Sequence, residues 1–394
     1  MPLPGYAPGM PDIDADQPAL LLTPGPLTTS ARTRAALGRD WGSRDGAFIA
    51  LSQGVRARLA CIAGGADSHV AVPIQGSGTF AVEAAIQSLV PRHGRLLVLA
   101  NGAYGRRMGD MASRIDRLGR VLEVAEDQPF PPDLVRDALA QDPAITDVAL
   151  VHCETTSGLL NPLAPIAQIV SNAGRRLILD AMSSFGAVPI DLRATPCVAV
   201  IGSANKGLEG VPGLGFVIAE RAHLDGCAQN AVSLSLDLHA QWRGFEANGQ
   251  WRFTPPVQVV AALAAALDQL EEEGGVAARH RRYQANCAML VSGMRAHGFN
   301  TYIGDACQAP VIVTFRTPGA WFDFARFADF LAVRGVIIYP GKLTQAPSFR
   351  IGCIGAIGKA EIASALAAVS QFMAAHGPAP WPAGGASDAQ TQSA

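Results

Sequence analysis

Two side chains define the chemistry open to this chain: an acid, Asp180, closing Arg175-Arg-Leu-Ile-Leu-Asp180, and an amine, Lys206, closing Ser203-Ala-Asn-Lys206. Each follows an apolar run, Leu177 to Leu179 and Cys197 to Ile201, of the kind that forms a buried strand. Both polar groups then emerge at the carboxyl edge of one parallel sheet, the edge at which α/β proteins bind ligands. The interval between them holds one crossover, which predicts adjacent strands and neighbouring side chains. An amine facing a carboxylate across a cofactor-sized gap matches the needs of pyridoxal phosphate. That cofactor takes a lysine to form its Schiff base, and an anion to keep its pyridine nitrogen protonated so that the ring accepts electrons from a carbanion. A lysine after a strand is commonly a solvated loop residue, so the pair by itself decides little.

An anion site upstream strengthens the reading. His69-Val-Ala-Val-Pro-Ile-Gln75 reads as a strand and Ala81 to Leu89 as an apolar-periodic helix, joined by Gly76-Ser-Gly-Thr79. Unpaired N–H groups, the positive end of the helix dipole and the hydroxyls of Ser77 and Thr79 then converge on a dianion. A plain glycine turn with a Ser or Thr N-cap has the same pattern. A dinucleotide site fits poorly, because Gly76-x-Gly78 lacks the third glycine and the run Arg95 to Ala100 ends in Asn101 rather than an acid. No Gly-x-x-x-x-Gly-Lys-Ser/Thr loop is present.

The elements that must hold these groups follow a simple order. From about residue 70 to 220, apolar strands alternate with helical stretches, the mark of a mainly parallel sheet covered by helices. A helical zone follows, broken at Gly274-Gly275, and then a smaller α/β set: strand Pro310 to Phe315, helix Asp323 to Val333, strands Val336 to Tyr339 and Ser348 to Ile351, and helix Lys359 to Ala375. The expected organisation is a flexible extension over 1–18, a large cofactor-binding domain over 19–270, a small C-terminal domain over 271–375 and a disordered tail over 376–394. The chain has 394 residues, 49% hydrophobic and 16% charged, with a net charge of −2 and no basic run. That balance argues against nucleic acid or an anionic membrane as partner. Seven scattered cysteines without a Cys-x-x-Cys pair argue against a disulfide frame or a metal site, and for reduced thiols in the cytoplasm. The longest apolar stretch, Val257 to Leu267, is too short to span a bilayer.

With polar loops after the strands at Gly76, Asn101, His152, Asp180 and Lys206, the chain resembles the class V aminotransferases of fold type I. The likeness runs from about Leu20 to Ala375. It is carried by Leu22-Thr-Pro-Gly-Pro-Leu-Thr28, Asn101-Gly-Ala-Tyr-Gly105, His152-Cys-Glu-Thr-Thr-Ser-Gly158, Ser203-Ala-Asn-Lys206, Trp251-Arg-Phe-Thr-Pro255, Tyr339-Pro-Gly-Lys342 and Phe349-Arg-Ile-Gly352. The resemblance implies that Lys206 anchors pyridoxal phosphate and shuttles the proton, that Asp180 pairs with the ring nitrogen, that Tyr104 stacks on the ring and that Thr155 bonds the phenolic oxygen. It places Asn205 beside the cofactor, and the phosphate on Ser77, Gly78 and Thr79, completed by Thr254 of a second subunit. The expected assembly is therefore a homodimer with shared active sites.

Arg350 resembles the class's acid-binding arginine, with Thr23 and Gly25 beside it in the substrate site. The segments Ser233 to Trp242, Trp251 to Pro256 and Gly274 to His280 resemble a branch that moves an amino group from an aminophosphonate to pyruvate. The alternative is the branch that works on alanine or serine with glyoxylate. One departure is Arg44, in Asp40-Trp-Gly-Ser-Arg-Asp45, where the family often has an aromatic residue; it bears on substrate size or charge. A cysteine desulfurase needs a mobile cysteine near the small domain. Cys353 lies close to Arg350 in sequence, but Ile351-Gly-Cys-Ile-Gly355 reads as packed strand and turn, so Cys353 is taken as structural.

Overall fold

The computed structural model describes residues 19–343 and 345–378. The extension expected over 1–18 and the tail beyond 378 lie outside the described residues. The strands in chain order are β1 (Leu20–Leu21), β2 (His69–Gln75), β3 (Leu96–Ala100), β4 (Leu118–Glu123), β5 (Asp147–Val151), β6 (Cys153–Glu154), β7 (Leu159–Leu160), β8 (Arg176–Asp180), β9 (Ala199–Ser203), β10 (Leu214–Glu220), β11 (Ile312–Arg316), β12 (Val336–Ile337), β13 (Tyr339–Pro340) and β14 (Ser348–Gly352).

Seven of these strands form the central sheet, in the order β2-β10-β9-β8-β5-β3-β4. All neighbours run parallel except β10, which is antiparallel to both β2 and β9. The inner strands read as unbroken apolar runs because helices cover both faces. Leu97 and Leu99 of β3 join one buried cluster while Leu96 and Val98 join the other, the alternation that a pleated strand imposes. The architecture is that of a mainly parallel α/β sheet, as the alternation of strands and helices predicts. The edge strand β4 was not anticipated. Its sequence, Leu-Gly-Arg-Val-Leu-Glu, buries only Leu122 and so carries little hydrophobic signal.

β8 and β9 are direct neighbours, with Asp180 opposite Ile201. The link between them consists of turns, not a helix. This still delivers Asp180 and Lys206 to the same edge. The C-terminal part builds its own sheet, β11-β14-β13, antiparallel throughout. Its core of phenylalanines, including Phe299, Phe327, Phe349 and Phe372, also takes in Leu22. β1 pairs in parallel with β12, so the chain's first described strand belongs to this C-terminal layer. From there Thr23 to Pro26 cross to the edge of the central sheet.

Candidate active site

Asp180 ends β8 almost wholly buried, and its Oδ1 accepts the Met182 N–H at 2.9 Å. Burial lifts its carboxyl to about 6; the Met182 bond opposes the rise and the nearby Glu154 adds to it. Lys206 does not pair with it. The Lys206 Nζ donates instead to the Pro24 carbonyl at 2.5 Å. Burial lowers the amine to about 8, and the charges of Arg350 and Lys342 push the same way. Gly25 permits this approach: at φ +120°, a Cβ there would stand 2.8 Å from Nζ. Acid and amine thus act on each other's charge without forming an ion pair.

The helix Gly78–Leu89 springs directly from β2 with Ser77 as its N-cap, and the Ser77 hydroxyl makes no capping bond. The first-turn N–H groups and this hydroxyl are therefore available to an anion. Arg107 lies one turn beyond Tyr104 on the helix Ala103–Arg114. Its Nη1 is 3.5 Å from the Thr79 Oγ1, and its guanidinium lies 5.0 Å from the centre of the Tyr104 ring. Ser203 contributes a further group. Its Oγ is buried without a hydrogen-bond partner, and it sits across from Gly215, whose missing Cβ would lie 3.3 Å from the Ser77 carbonyl. Cross-strand partners share a face, so this orphaned hydroxyl looks toward the same cradle. A phosphate, offering only acceptor oxygens, would satisfy it. Gly78, Thr79, Tyr104, Arg107, Asp180 and Met182 line one cleft.

On the opposite flank, Arg350 of β14 is buried and held by two backbone carbonyls: Nε donates to Pro340 and Nη1 to Thr155, each at 3.1 Å. Burial opposes its charge, while the facing Tyr104 phenol and then Glu154 favour it. Glu154 is buried and accepts the Tyr104 N–H at 3.2 Å, fixing the start of the tyrosine's helix. Thr155 follows it in the turn between β6 and β7. The Thr23 hydroxyl serves its own turn, donating to the Pro26 carbonyl and accepting the Gly25 N–H, so what the turn turns toward Lys206 is an acceptor. The Asn205 carbonyl packs against Gly25.

Behind Lys206 stands an ionic clamp. Glu209, in left-handed backbone at φ 62°, accepts from Arg282 at 2.7 Å and from the buried Tyr283 hydroxyl at 2.5 Å. Arg279 donates to the Gly207 carbonyl at 3.1 Å, and Arg282 to the carbonyls of Gly355 and Ile357 at 2.7 Å. The lysine loop is thereby tied to the segment following Arg350.

Thr254 lies elsewhere. It is exposed and lines a surface cleft of about 300 Å³ with Arg44, Arg252 and Trp251. Cys353 is fully buried beside Cys287 with its thiol pushed well up, which agrees with a packing role. Sequence reasoning missed Arg107, Glu154, Ser203 and Glu209. All but Glu209 stood inside or beside runs already singled out, and Arg107 was detectable as the residue one helical turn after Tyr104.

A mainly parallel sheet with a lysine and an acid at its carboxyl edge, an anion cradle at a helix start and a buried arginine from a second layer together describe a pyridoxal phosphate enzyme of fold type I. Residues 29–360 match the family Aminotransferase class-V, and the chain belongs to it. It is 53% identical over 355 residues to the 2-aminoethylphosphonate–pyruvate transaminase of Pseudomonas putida, covering 90% of this chain and 96% of that protein. Among solved structures it superposes on pyridoxamine-pyruvate aminotransferase from Mesorhizobium loti with a TM-score of 0.83 at 28% identity, covering 92% and 93% of the two chains. The alanine–glyoxylate aminotransferase of Nostoc sp. shares the fold, with a TM-score of 0.85 at 24% identity over 91% and 96% of the chains.

Proposed function

We propose that this enzyme transfers the amino group of 2-aminoethylphosphonate to pyruvate, giving phosphonoacetaldehyde and L-alanine, in the breakdown of phosphonates. The observation that carries the reading is the meeting of Lys206, Asp180 and the doubly anchored Arg350 around one space, in a chain so close to transaminases of that name. Pyridoxal phosphate, when bound, supplies the electron sink for the carbanion left at the donor's amine-bearing carbon. Lys206 would hold it, and its amine is the base placed to take the proton from that carbon. Asp180 holds the proton on the ring nitrogen. Tyr104, the Thr155 hydroxyl and Asn205 would hold the ring, and Ser77, Gly78 and Thr79 would hold the phosphate with Arg107 and Ser203. Arg350 binds the donor's phosphonate in one half-reaction and the pyruvate carboxylate in the other, with the turn of Thr23 and Gly25 closing the substrate side.

The full site is a property of a homodimer in this reading. Thr254 sits on the surface beside the exposed Phe253, and Leu234, 74% exposed, is tied in through the Arg252 Nη1, which donates to its carbonyl. An apolar rim around a polar donor suits a second copy that receives Thr254 at its phosphate. The cofactor-binding unit runs to about residue 270 and the smaller one over 271–375, except that Leu20 to Leu22 pack with the smaller one. The seven cysteines carry free thiols, which suits the cytoplasm. No helix among the described residues is long and apolar enough to cross a membrane.

The test is to mix the cofactor-loaded enzyme with one amine at a time and follow its visible absorbance. 2-Aminoethylphosphonate should discharge the band, and pyruvate should restore it. If serine reacts readily while 2-aminoethylphosphonate leaves the spectrum unchanged, the glyoxylate-type activity takes the place of this one.

A further inference from the structure

Arg350 presents a limited set of donors. Its Nε and Nη1 are engaged by the Pro340 and Thr155 carbonyls and its side chain also bonds the Tyr104 phenol, which leaves few guanidinium donors for a substrate acid. That remainder suits a carboxylate, with its single charge. A phosphonate differs in having a further oxygen and, like a phosphate monoester, a charge approaching −2 near neutral pH. Burying the surplus charge beside one arginine is unfavourable unless a second cation meets it.

Lys342 is placed to do so. It follows β13, the strand whose Pro340 carbonyl grips the Arg350 Nε, so its backbone is pinned close to the guanidinium. The Lys342 Nζ stands 5.6 Å from the centre of the Tyr104 ring, and the Tyr104 phenol faces Arg350. Both Lys342 and Arg350 act electrostatically on Lys206, which puts the three cations around the same space. Lys342 is exposed and forms no ion pair among the described residues; its cation–π contact with Tyr104 is weak at an exposed site and leaves the ammonium's donors open. The other nearby cation, Arg107, points to Thr79 on the cofactor-phosphate side. The nearest buried carboxylate, Glu154, is held by Thr156 and the Tyr104 N–H.

We infer that Lys342 is the second cationic anchor for the donor's phosphonate, acting beside Arg350 and setting the preference for a dianionic acid over a carboxylate. The inference rests on the aminophosphonate reading above. A flexible ammonium suits the task, since it adds charge at the third oxygen without requiring planar geometry.

The experiment is calorimetric binding to the cofactor-loaded enzyme of ethylphosphonate and of propionate, which lack an amine and cannot react. It is paired with KM values for 2-aminoethylphosphonate and pyruvate. In Lys342→Gln the affinity ratio of ethylphosphonate to propionate should fall at least about tenfold, as expected for losing one charge-assisted bond. The KM for 2-aminoethylphosphonate should rise relative to that for pyruvate, and Lys342→Arg should recover most of both. A wild type that prefers ethylphosphonate, together with a Lys342→Gln variant that keeps the preference, overturns the role of Lys342 alone. A wild type that neither prefers ethylphosphonate nor reacts with 2-aminoethylphosphonate overturns the function itself.

Discussion

Lys206 is an amine kept reactive by its surroundings. Buried, and facing Arg350 and Lys342, it titrates at about 8 rather than 10.5, so its neutral form, the form that attacks an aldehyde, grows as pH rises through about 8. Cofactor-free protein should accordingly capture pyridoxal phosphate at a rate that climbs with pH to a midpoint near 8; a midpoint above 10 would contradict the environment described. Asp180 has the opposite disposition. Burial raises it to about 6, and a bound pyridinium would restore its charge by direct pairing. Asp180→Asn keeps the shape and the bond to the Met182 N–H, so the variant should still fold and take up cofactor. Turnover should drop by about 10²-fold or more, because a neutral amide cannot hold the ring proton. Near-normal turnover with cofactor bound would remove Asp180 from that role. Both residues were legible in the sequence as polar groups ending apolar runs. Ser203 was not, because a serine two residues past a buried run looks the same whether its hydroxyl is satisfied or orphaned.

Among the elements, the loop after Lys206 and the long helix Gly275–Ala296 are joined by charge. Glu209 sits against Arg279, Arg282 and Tyr283, with side chains that are mostly or wholly out of solvent. Arg279 and Arg282 also pair with Glu273, each at 2.8 Å, so removing Glu209 takes away one of their two carboxylates and leaves the buried Tyr283 hydroxyl without its acceptor. Glu209→Ala should therefore cost about 2 kcal/mol of stability in chemical denaturation, in line with a buried donor left unsatisfied and a weakened ion-pair network. A loss below about 1 kcal/mol would mean that the cluster is not a clamp. The helix was predicted from its apolar spacing and the Gly274-Gly275 break, and the strands β2, β3, β5, β8, β9 and β10 from their apolar runs. The edge strand β4 escaped notice because one buried residue leaves too weak a period, and the reversed direction of β10 has no local signature at all.

For the whole molecule, the open question is the second subunit. Thr254 shares its cleft with Arg44 and not with the residues around Asp180, so its contribution to a cofactor site calls for another copy. Co-expressing Lys206→Ala with Thr254→Ala should produce some hybrid dimers in which one site holds both native groups. Each hybrid has one intact site of two, so a randomly assembled mixture, about half of it hybrid, should recover about a quarter of wild-type activity if sites are shared. A fully active monomer in sedimentation, or no recovery from two impaired parents, would separate Thr254 from the site.

By itself the sequence determined the alternation of strands and helices, the acid and the amine at strand ends, and the glycine-led helix start, because each depends on residue type and local spacing. Neighbourhood across the fold was decided by tertiary structure. The adjacency of β8 and β9 brings Asp180 and Lys206 together, the pairing of β1 with β12 carries Pro24 to the lysine, and the small sheet swings Arg350 under the Thr155 carbonyl from nearly 200 residues away. Burial then turns an ordinary lysine into one titrating at about 8 and leaves Arg350 with few donors for substrate, since desolvation and donor engagement depend on what packs around a group.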